Sequence, residues 1–347
     1  MIDIKFPDGS VRSYEKGITP FQIAEQISPR LASEVLAASF NGKIIDLELP
    51  LNESGELKLH KWEDQEAKST FWHSSSHLMA EALELLYPGI KFGIGPSIEN
   101  GFYYDVDLGD RTITDSDLKK IEDKMIELAR QKQHFVRKEV SKAEAMDTYT
   151  KKGDEYKCDL IGGLEDGTIT FYTNGSFTDL CRGPHLRDTS VIKAVKLTSI
   201  AGAYWRGDEH NKMLTRIYGT AYTKKADLEE YLEYLADIKN RDHNRLGREM
   251  DLFTTVDVVG QGLPLFMPNG TKMIQKLQRW IEDLEDYEWG YVRTRTPLMA
   301  KSTLYKISDH WYHYKDGMFL LGYDNLDDLN NTEDASREIH GVQDLKM

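Results

Sequence analysis

Cysteine is nearly absent from this sequence: Cys158 and Cys181 are the only two in 347 residues. Two thiols cannot staple a chain of this size, which excludes a disulfide framework and fits a reducing compartment. Long apolar runs are missing as well. No stretch approaches the roughly 20 residues needed to cross a bilayer, so no membrane span is expected. The N-terminal MIDIKFPDGS carries Asp and Pro where a secretory signal needs a basic and then an apolar segment, and the expected location is the cytoplasm. Basic residues are in deficit, with 44 Lys and Arg against 58 Asp and Glu and a formal net charge of −14. That balance favours solubility and disfavours indiscriminate attraction to polyanions, so any nucleic-acid contact requires locally concentrated cations. The remainder is ordinary: 40% hydrophobic content and enough length for two or three globular domains.

The segment 1–62 reads as a small mixed sheet holding one helix. MIDIKF alternates apolar and polar residues, PDGS is a turn, and VRSYE returns as a hairpin partner. FQIAEQI has helical spacing, with Thr19 at its N-cap and Pro20 at the first helical position. Two strand-like runs flank Asn41-Gly42, and GELKLH supplies another. After a polar boundary, FWHSSSHLMAEALELLYPG predicts a helix with an apolar stripe of Leu78, Ala82, Leu85 and Leu86, stopped at YPG. Strand candidates (GFYYDVDL, TITFYTN, VIKAVKLTSI, MLTRIYGTAY) then alternate with helices (DSDLKKIEDKMIELARQ, KAEAMDTYTKK), an α+β pattern. Residues 226–249 read as a connecting helix. Beyond them come a long helix over 270–286, a break at Trp289-Gly290 and a strand ended by Pro297. The acidic stretch after residue 319 is poor in aromatics and predicts weak order.

His73 and His77 stand four apart, so on a helix they project from one face, one turn apart. In TDLCRGPHLRD, Cys181 and His185 flank Arg182-Gly183-Pro184, a tight turn able to bring thiol and imidazole together. Four such donors are what a tetrahedral zinc site requires, and equally what a metal-free hydrolytic site uses to orient water. On its own, a histidine pair at this spacing is usually packing coincidence, and a lone cysteine is usually a small buried hydrophobe. Finding both pairs in one chain shifts the balance.

In order and spacing, FWHSSSHLMAEAL, IGPSIENGFYYDVDL, EYKCDLI, FTDLCRGPHL and AGAYWRGDEHNKMLTRIYGTAY resemble the editing region of bacterial-type threonyl-tRNA synthetases. The N-terminal unit looks like their TGS domain, and LPLFMPNGTKMIQKLQRWIEDLEDYEWGYVRTRTPLM looks like the opening of their class II catalytic domain, motif 1 included. The resemblance covers residues 1–319. It implies a multidomain α+β chain: a β-grasp TGS domain (1–62), an editing domain (63–225), a linker helix (226–249) and the first part of a class II antiparallel-sheet domain (250–319), with an unmatched acidic tail (320–347). Motif 2, motif 3, the zinc ligands and the anticodon domain find no counterpart here. By family logic the ATP and catalytic-domain zinc of the full-length enzymes lose their binding residues, and aminoacylation with them.

The function so implied is hydrolysis of serine mistakenly esterified to threonine tRNA. A methyl group separates threonine from serine, worth only about 1–3 kcal/mol of discrimination, so a second pocket must remove the error. Carried over residue by residue, the resemblance puts His73, His77 and Lys157 in catalytic roles and Tyr104, Asp179, Cys181 and His185 around the substrate. His73 is the first choice to handle the water. Asp179 is the counter-charge for the α-amino group, and Lys157 serves the oxyanion or the terminal ribose. His77 and His185 orient their neighbours, and Cys181 is a pocket wall. No cofactor is implied for this step. If zinc does bind, as it does in a related arrangement in alanyl-tRNA editing proteins, its candidate ligands are His73, His77, Cys181 and His185. For tRNA the candidate contacts are Lys212, Arg216, Lys224, Lys225, Arg241 and Arg245, with Trp205 as a base-stacking residue. The competing reading is a non-catalytic tRNA-binding or dimerising module, since motif 1 builds the dimer interface in this class.

Overall fold

The computed structural model describes residues 1–260, 262–314, 317 and 318. The acidic tail for which weak order was expected lies outside the described residues. Two units, Met1–Arg241 and Asp242–Met347, separate in the chain.

The first unit begins with the predicted hairpin: β1 (Ile2–Lys5) turns its isoleucines inward and Asp3 and Lys5 outward, and β2 (Val11–Tyr14) pairs with it antiparallel. Thr19 caps α1 (Pro20–Ile27) with a complete capping box, its side chain accepting from the Gln22 N–H while Gln22 reaches back to the Thr19 N–H. Next come α2 (Pro29–Glu34), β3 (Ala37–Phe40), β4 (Lys43–Ile45) and β5 (Gly55–His60). The strands form one sheet in the order β2-β1-β5-β3-β4, with β1 parallel to β5. Ile4, Ile23, Ala24 and Leu57 are buried between the sheet and α1. This is the β-grasp expected of residues 1–62.

α3 (Gln65–Leu86) carries the two histidines and is buried nearly all round: from Thr70 to Leu83 every residue but His73 is inside. The predicted stripe therefore needs correction. Leu78 and Ala82 are buried, but Leu85 and Leu86 are 45% and 38% exposed. A helix enclosed by protein has no polar face for a stripe to oppose, and Phe71, Met79 and Leu83 share the burial instead. Around α3 lie β6 (Lys91–Phe92), β7 (Ser97–Ile98), β8 (Gly101–Asp107) and α4 (Asp115–Arg130), followed by β9 (Val136–Glu139), α5 (Lys142–Lys152), α6 (Glu155–Gly162), β10 (Thr170–Asn174), β11 (Phe177–Leu180), β12 (Ala194–Tyr204), β13 (Met213–Tyr222) and α7 (Lys225–Asn240). An antiparallel sheet in the order β12-β13-β8-β6, with β7 on β8, contributes Phe102, Tyr104, Leu197 and Ile217 to a core shared with α3 and α4. Each such side chain adds about 1.5–3 kcal/mol by leaving water. A second sheet, β11-β10-β9, stands beside it.

The connecting helix expected over 226–249 is two helices. α7 ends at Asn240, and Asp242 starts α8 (His243–Glu249) of the second unit by accepting the Arg245 N–H. An aspartate that satisfies an orphan N–H begins a new helix more readily than it continues an old one. The second unit adds a short hairpin, β14 (Phe253–Thr254) with β15 (Leu265–Phe266), and α9 (Pro268–Asp283), prolonged by a wide turn over Leu284–Glu288. α10 (Ser302–Ile307) and α11 (His310–Tyr314) follow. The strand predicted before Pro297 does not form: residues 291–297 are irregular, with Val292 90% exposed. A strand needs a neighbour to pair with its backbone, and none of the described residues supplies one.

Candidate hydrolytic site

The two histidine pairs meet. α3 places the His73 and His77 rings 5.2 Å apart, and the turn after β11 brings the His185 ring within 4.4 Å of the first and 4.2 Å of the second. Cys181 Sγ lies 3.3 Å from His73 Nε2 and 3.2 Å from His185 Nε2, and it accepts the Gly183 N–H at 3.2 Å. Gly183 sits at φ +70°, where a Cβ would also collide with the Tyr172 hydroxyl, so only glycine fits this turn. The alternation of β11 points Phe177 and Asp179 to the inside together. There Asp179 meets Lys157 of α6, Oδ1 to Nζ 2.5 Å, and accepts the Tyr104 hydroxyl of β8 on Oδ2, 3.7 Å from His77 Nε2. Lys157 also donates to Tyr104 at 3.2 Å. A cavity of about 140 Å³, lined among others by Tyr149, Lys157, Phe177 and Asp179, opens beside this pair. All seven residues proposed for the site are thus in one place.

Burial sets their protonation. Desolvation lowers His77 to about 3, with the Asp179 charge opposing it. His73, which keeps an edge in solvent, falls to about 4, with Asp179 and a hydrogen bond to the Pro184 carbonyl opposing. His185 is held well below its ordinary value by burial and by the two other imidazoles. All three rings are neutral at pH 7. Burial pushes the Cys181 thiol up to about 12, so it stays protonated. Burial also works to raise the Asp179 carboxyl, but the Lys157 charge and the hydrogen bonds from Lys157 and Tyr104 outweigh it and the group remains ionised.

Ser74 fixes one tautomer. Its hydroxyl donates to the Thr70 carbonyl at 2.8 Å and accepts the Leu186 N–H at 2.9 Å. Its single proton is thus committed, so His185 Nδ1, 3.0 Å away, must be the donor, leaving Nε2 with a lone pair aimed at Cys181. Sequence reasoning missed Ser74. The signal was available, since three consecutive serines between two histidines are costly in a buried helix unless they bond to something.

Residues 2–61 match the family described as the TGS domain, and residues 169–218 match the threonyl and alanyl tRNA synthetase second additional domain. Asp179, Cys181 and His185 lie inside the second match; His73, Tyr104 and Lys157 reach it from outside. The chain is 54% identical over 319 residues to a threonine–tRNA ligase of Parabacteroides distasonis, covering 92% of this chain and 49% of that protein. The chain is similar to the N-terminal part of threonyl-tRNA synthetases. Threonine–tRNA ligases of Porphyromonas gingivalis (54% over 320 residues) and Cytophaga hutchinsonii (52% over 319) match over the same 92% and 49% shares. The chain spans about half the length of these relatives.

Most of the basic residues put forward for tRNA are engaged within this synthetase-like chain. Lys212 bonds Asp107 at 2.6 Å, and Arg216 grips Asp105 with two bonds of 2.7 and 2.9 Å while lying over the Tyr103 ring. Lys225, Arg241 and Arg245 pair with Glu229, Asp237 and Glu249, and Lys224 is exposed just ahead of α7. The β8 alternation that sends Tyr104 inward sends Asp105 and Asp107 to meet these cations, which the sequence reading did not weigh. Trp205 donates to Asp159 at 2.9 Å and packs edge-on against Tyr156, a structural use of a side chain expected to stack on a base.

The four donors His73, His77, Cys181 and His185 fit zinc by type, and their ligating atoms lie within 4.8 Å of one another. The His185 ring is already oriented by Ser74 as a metal ligand would be. No helix among the described residues is long and apolar enough to cross a membrane.

Proposed function

We propose that this chain hydrolyses the serine ester of threonine-accepting tRNA, working in the cytoplasm where charged tRNA is used. The observation that carries the reading is the convergence of three neutral imidazoles, a protonated thiol and the Lys157–Asp179 pair; of these, Lys157 and Asp179 also line a small cavity. At about 140 Å³ the cavity is below the roughly 300–1,000 Å³ of pockets that engulf a drug-sized ligand.

Water attacks the ester carbonyl while His73, one of the two partly exposed members of the cluster, accepts the water proton. The carbon–oxygen bond to the ribose then breaks, and the proton passes to the departing ribose oxygen, giving free serine and deacylated tRNA. Lys157 has three N–H donors, two of them used by Asp179 and Tyr104, so one is left for the developing oxyanion. Asp179 is not a free counter-charge, because Lys157 already neutralises it. It keeps acceptor capacity for the α-ammonium, since a carboxylate offers about four lone-pair sites. Cys181, with its thiol near 12, walls the site and makes no covalent bond.

The reaction as written uses no metal. Zinc on His73, His77, Cys181 and His185 would supply Lewis-acid polarisation, yet four protein ligands close a site and leave no position for water. Metal analysis of the purified protein separates the two cases. The deciding assay incubates the protein with serylated and threonylated threonine tRNA, with His73→Ala as control; release of serine no faster than in buffer rejects the reading. A dimerising role is the second reading, favoured by Met273, Leu277 and Trp280, which are 47%, 57% and 61% exposed in a row along α9. A second copy of the chain is the expected occupant of that row, and the mass in solution tests it.

A further inference from the structure

The turn that carries Cys181 and His185 is held by a carboxylate from outside the editing region. In the run Ile45-Asp46-Leu47-Glu48, where the chain leaves β4 through a turn, Ile45 and Leu47 pack into the β-grasp core while Asp46 and Glu48 reach out of it. Asp46 Oδ1 accepts the backbone N–H of His185 at 2.8 Å, and Oδ2 accepts the Tyr172 hydroxyl at 2.6 Å. Tyr172 of β10 packs its ring 4.5 Å from the His185 ring, and its hydroxyl presses on Gly183. One carboxylate therefore grips the turn twice, through its backbone and through the ring beneath it. Glu48 adds a 2.6 Å ion pair to Arg187, whose guanidinium lies 3.8 Å above Phe21 of α1. Next to this contact the packing is open: a cavity of about 430 Å³ separates residues of α1 and α2 from Leu186, Arg187 and Val191. Polar contacts, more than dense packing, hold the turn on this side.

We infer that Asp46 is a positioning residue of the hydrolytic site, so that the β-grasp unit completes the catalytic geometry as well as flanking it. The inference rests on the hydrolytic reading given above. Asp46 acts through the placement of His185 and Cys181. Its carboxyl is pushed up by burial and held back by the bonds from Tyr172 and His185, as expected of a buried acceptor whose use is to hold donors. Displacing a catalytic turn by about 1 Å costs on the order of a hundredfold in rate.

The test uses the full chain with Asp46→Ala, Asp46→Asn and Tyr172→Phe. Asp46→Ala should lower kcat for serine release about ten- to a hundredfold with little change in KM. Asp46→Asn, which keeps an acceptor for the His185 N–H, should recover part of the loss. Tyr172→Phe added to Asp46→Ala should cost nothing further, because both remove one support. Iodoacetamide labelling of Cys181, mapped by mass spectrometry with Cys158 as internal reference, reads the turn without reference to catalysis. Asp46→Ala should speed labelling of Cys181 at least about tenfold while Cys158 is unchanged. An Asp46→Ala chain that releases serine at the wild-type rate overturns the inference. If the wild-type chain releases no serine, the hydrolytic reading fails by itself, and Cys181 labelling unaltered by Asp46→Ala then overturns the positioning role.

Discussion

Acid should loosen this protein through His77 in a way that one substitution can isolate. The ring is 2% exposed, its Nδ1 has no hydrogen-bond partner among the described residues, and burial lowers its pKa from 6.5 to about 3. Because the folded value lies below the unfolded one, the unfolded chain takes up the proton first. The contribution is fully present above pH 6.5 and is lost progressively as pH falls towards 3. At about 1.4 kcal/mol per pH unit, the loss between pH 7 and pH 5 is about 2 kcal/mol for this one residue. His73 and His185 add to it with the same sign, while the raised carboxyls of Asp46 and Asp154 oppose it. Total stability against pH is therefore a blend. The difference between the wild type and His77→Gln isolates His77 together with its coupling to His185 and Asp179, since groups away from it cancel. Urea unfolding at pH 7 and pH 5, in the presence of a chelator, should show His77→Gln gaining about 2 kcal/mol on the wild type at the lower pH. Parallel stability curves across that range would refute the claim that His77 is buried neutral.

Three further outcomes follow from the same geometry. Asp179→Ala strands the Lys157 ammonium in the interior and should cost about 3–5 kcal/mol in urea unfolding, with Lys157→Met as a second change restoring part of the loss. Cys181→Ala should still release serine in the deacylation assay; complete loss together with trapping of a thioester would make the thiol a nucleophile. Gly183→Ala forces a Cβ onto a left-handed backbone against Tyr172, and should lower stability by about 1–3 kcal/mol and slow serine release.

Local chemistry was legible in the sequence wherever one residue type has one use. Thr19-Pro20 marked the start of α1, and Asn41-Gly42 marked the β3–β4 hairpin. The i,i+4 spacing of His73 and His77 and the turn between Cys181 and His185 each stated a local geometry. That the pairs meet came from the family resemblance, because spacing cannot report the distance between α3 and a turn more than a hundred residues away. Other features were hidden for specific reasons. Asp46 occupies an alternating run in which an acidic residue ordinarily faces water, and only the neighbouring unit makes it an acceptor. Lys212 and Arg216 looked like a cationic patch because their partners, Asp105 and Asp107, lie on another strand. The strand expected before Pro297 had the right residues and no neighbour to pair with.

Ser74, Ser75 and Ser76 are completely buried in α3, and each hydroxyl is committed: to the Thr70, Phe71 and Gly95 carbonyls respectively. Rotating or sliding this helix by one residue would strand three polar groups at once, at about 1–3 kcal/mol each. Mutational drift in this protein should therefore collect in the open last turn around Leu85 and Leu86, while the stretch between the imidazoles tolerates almost none.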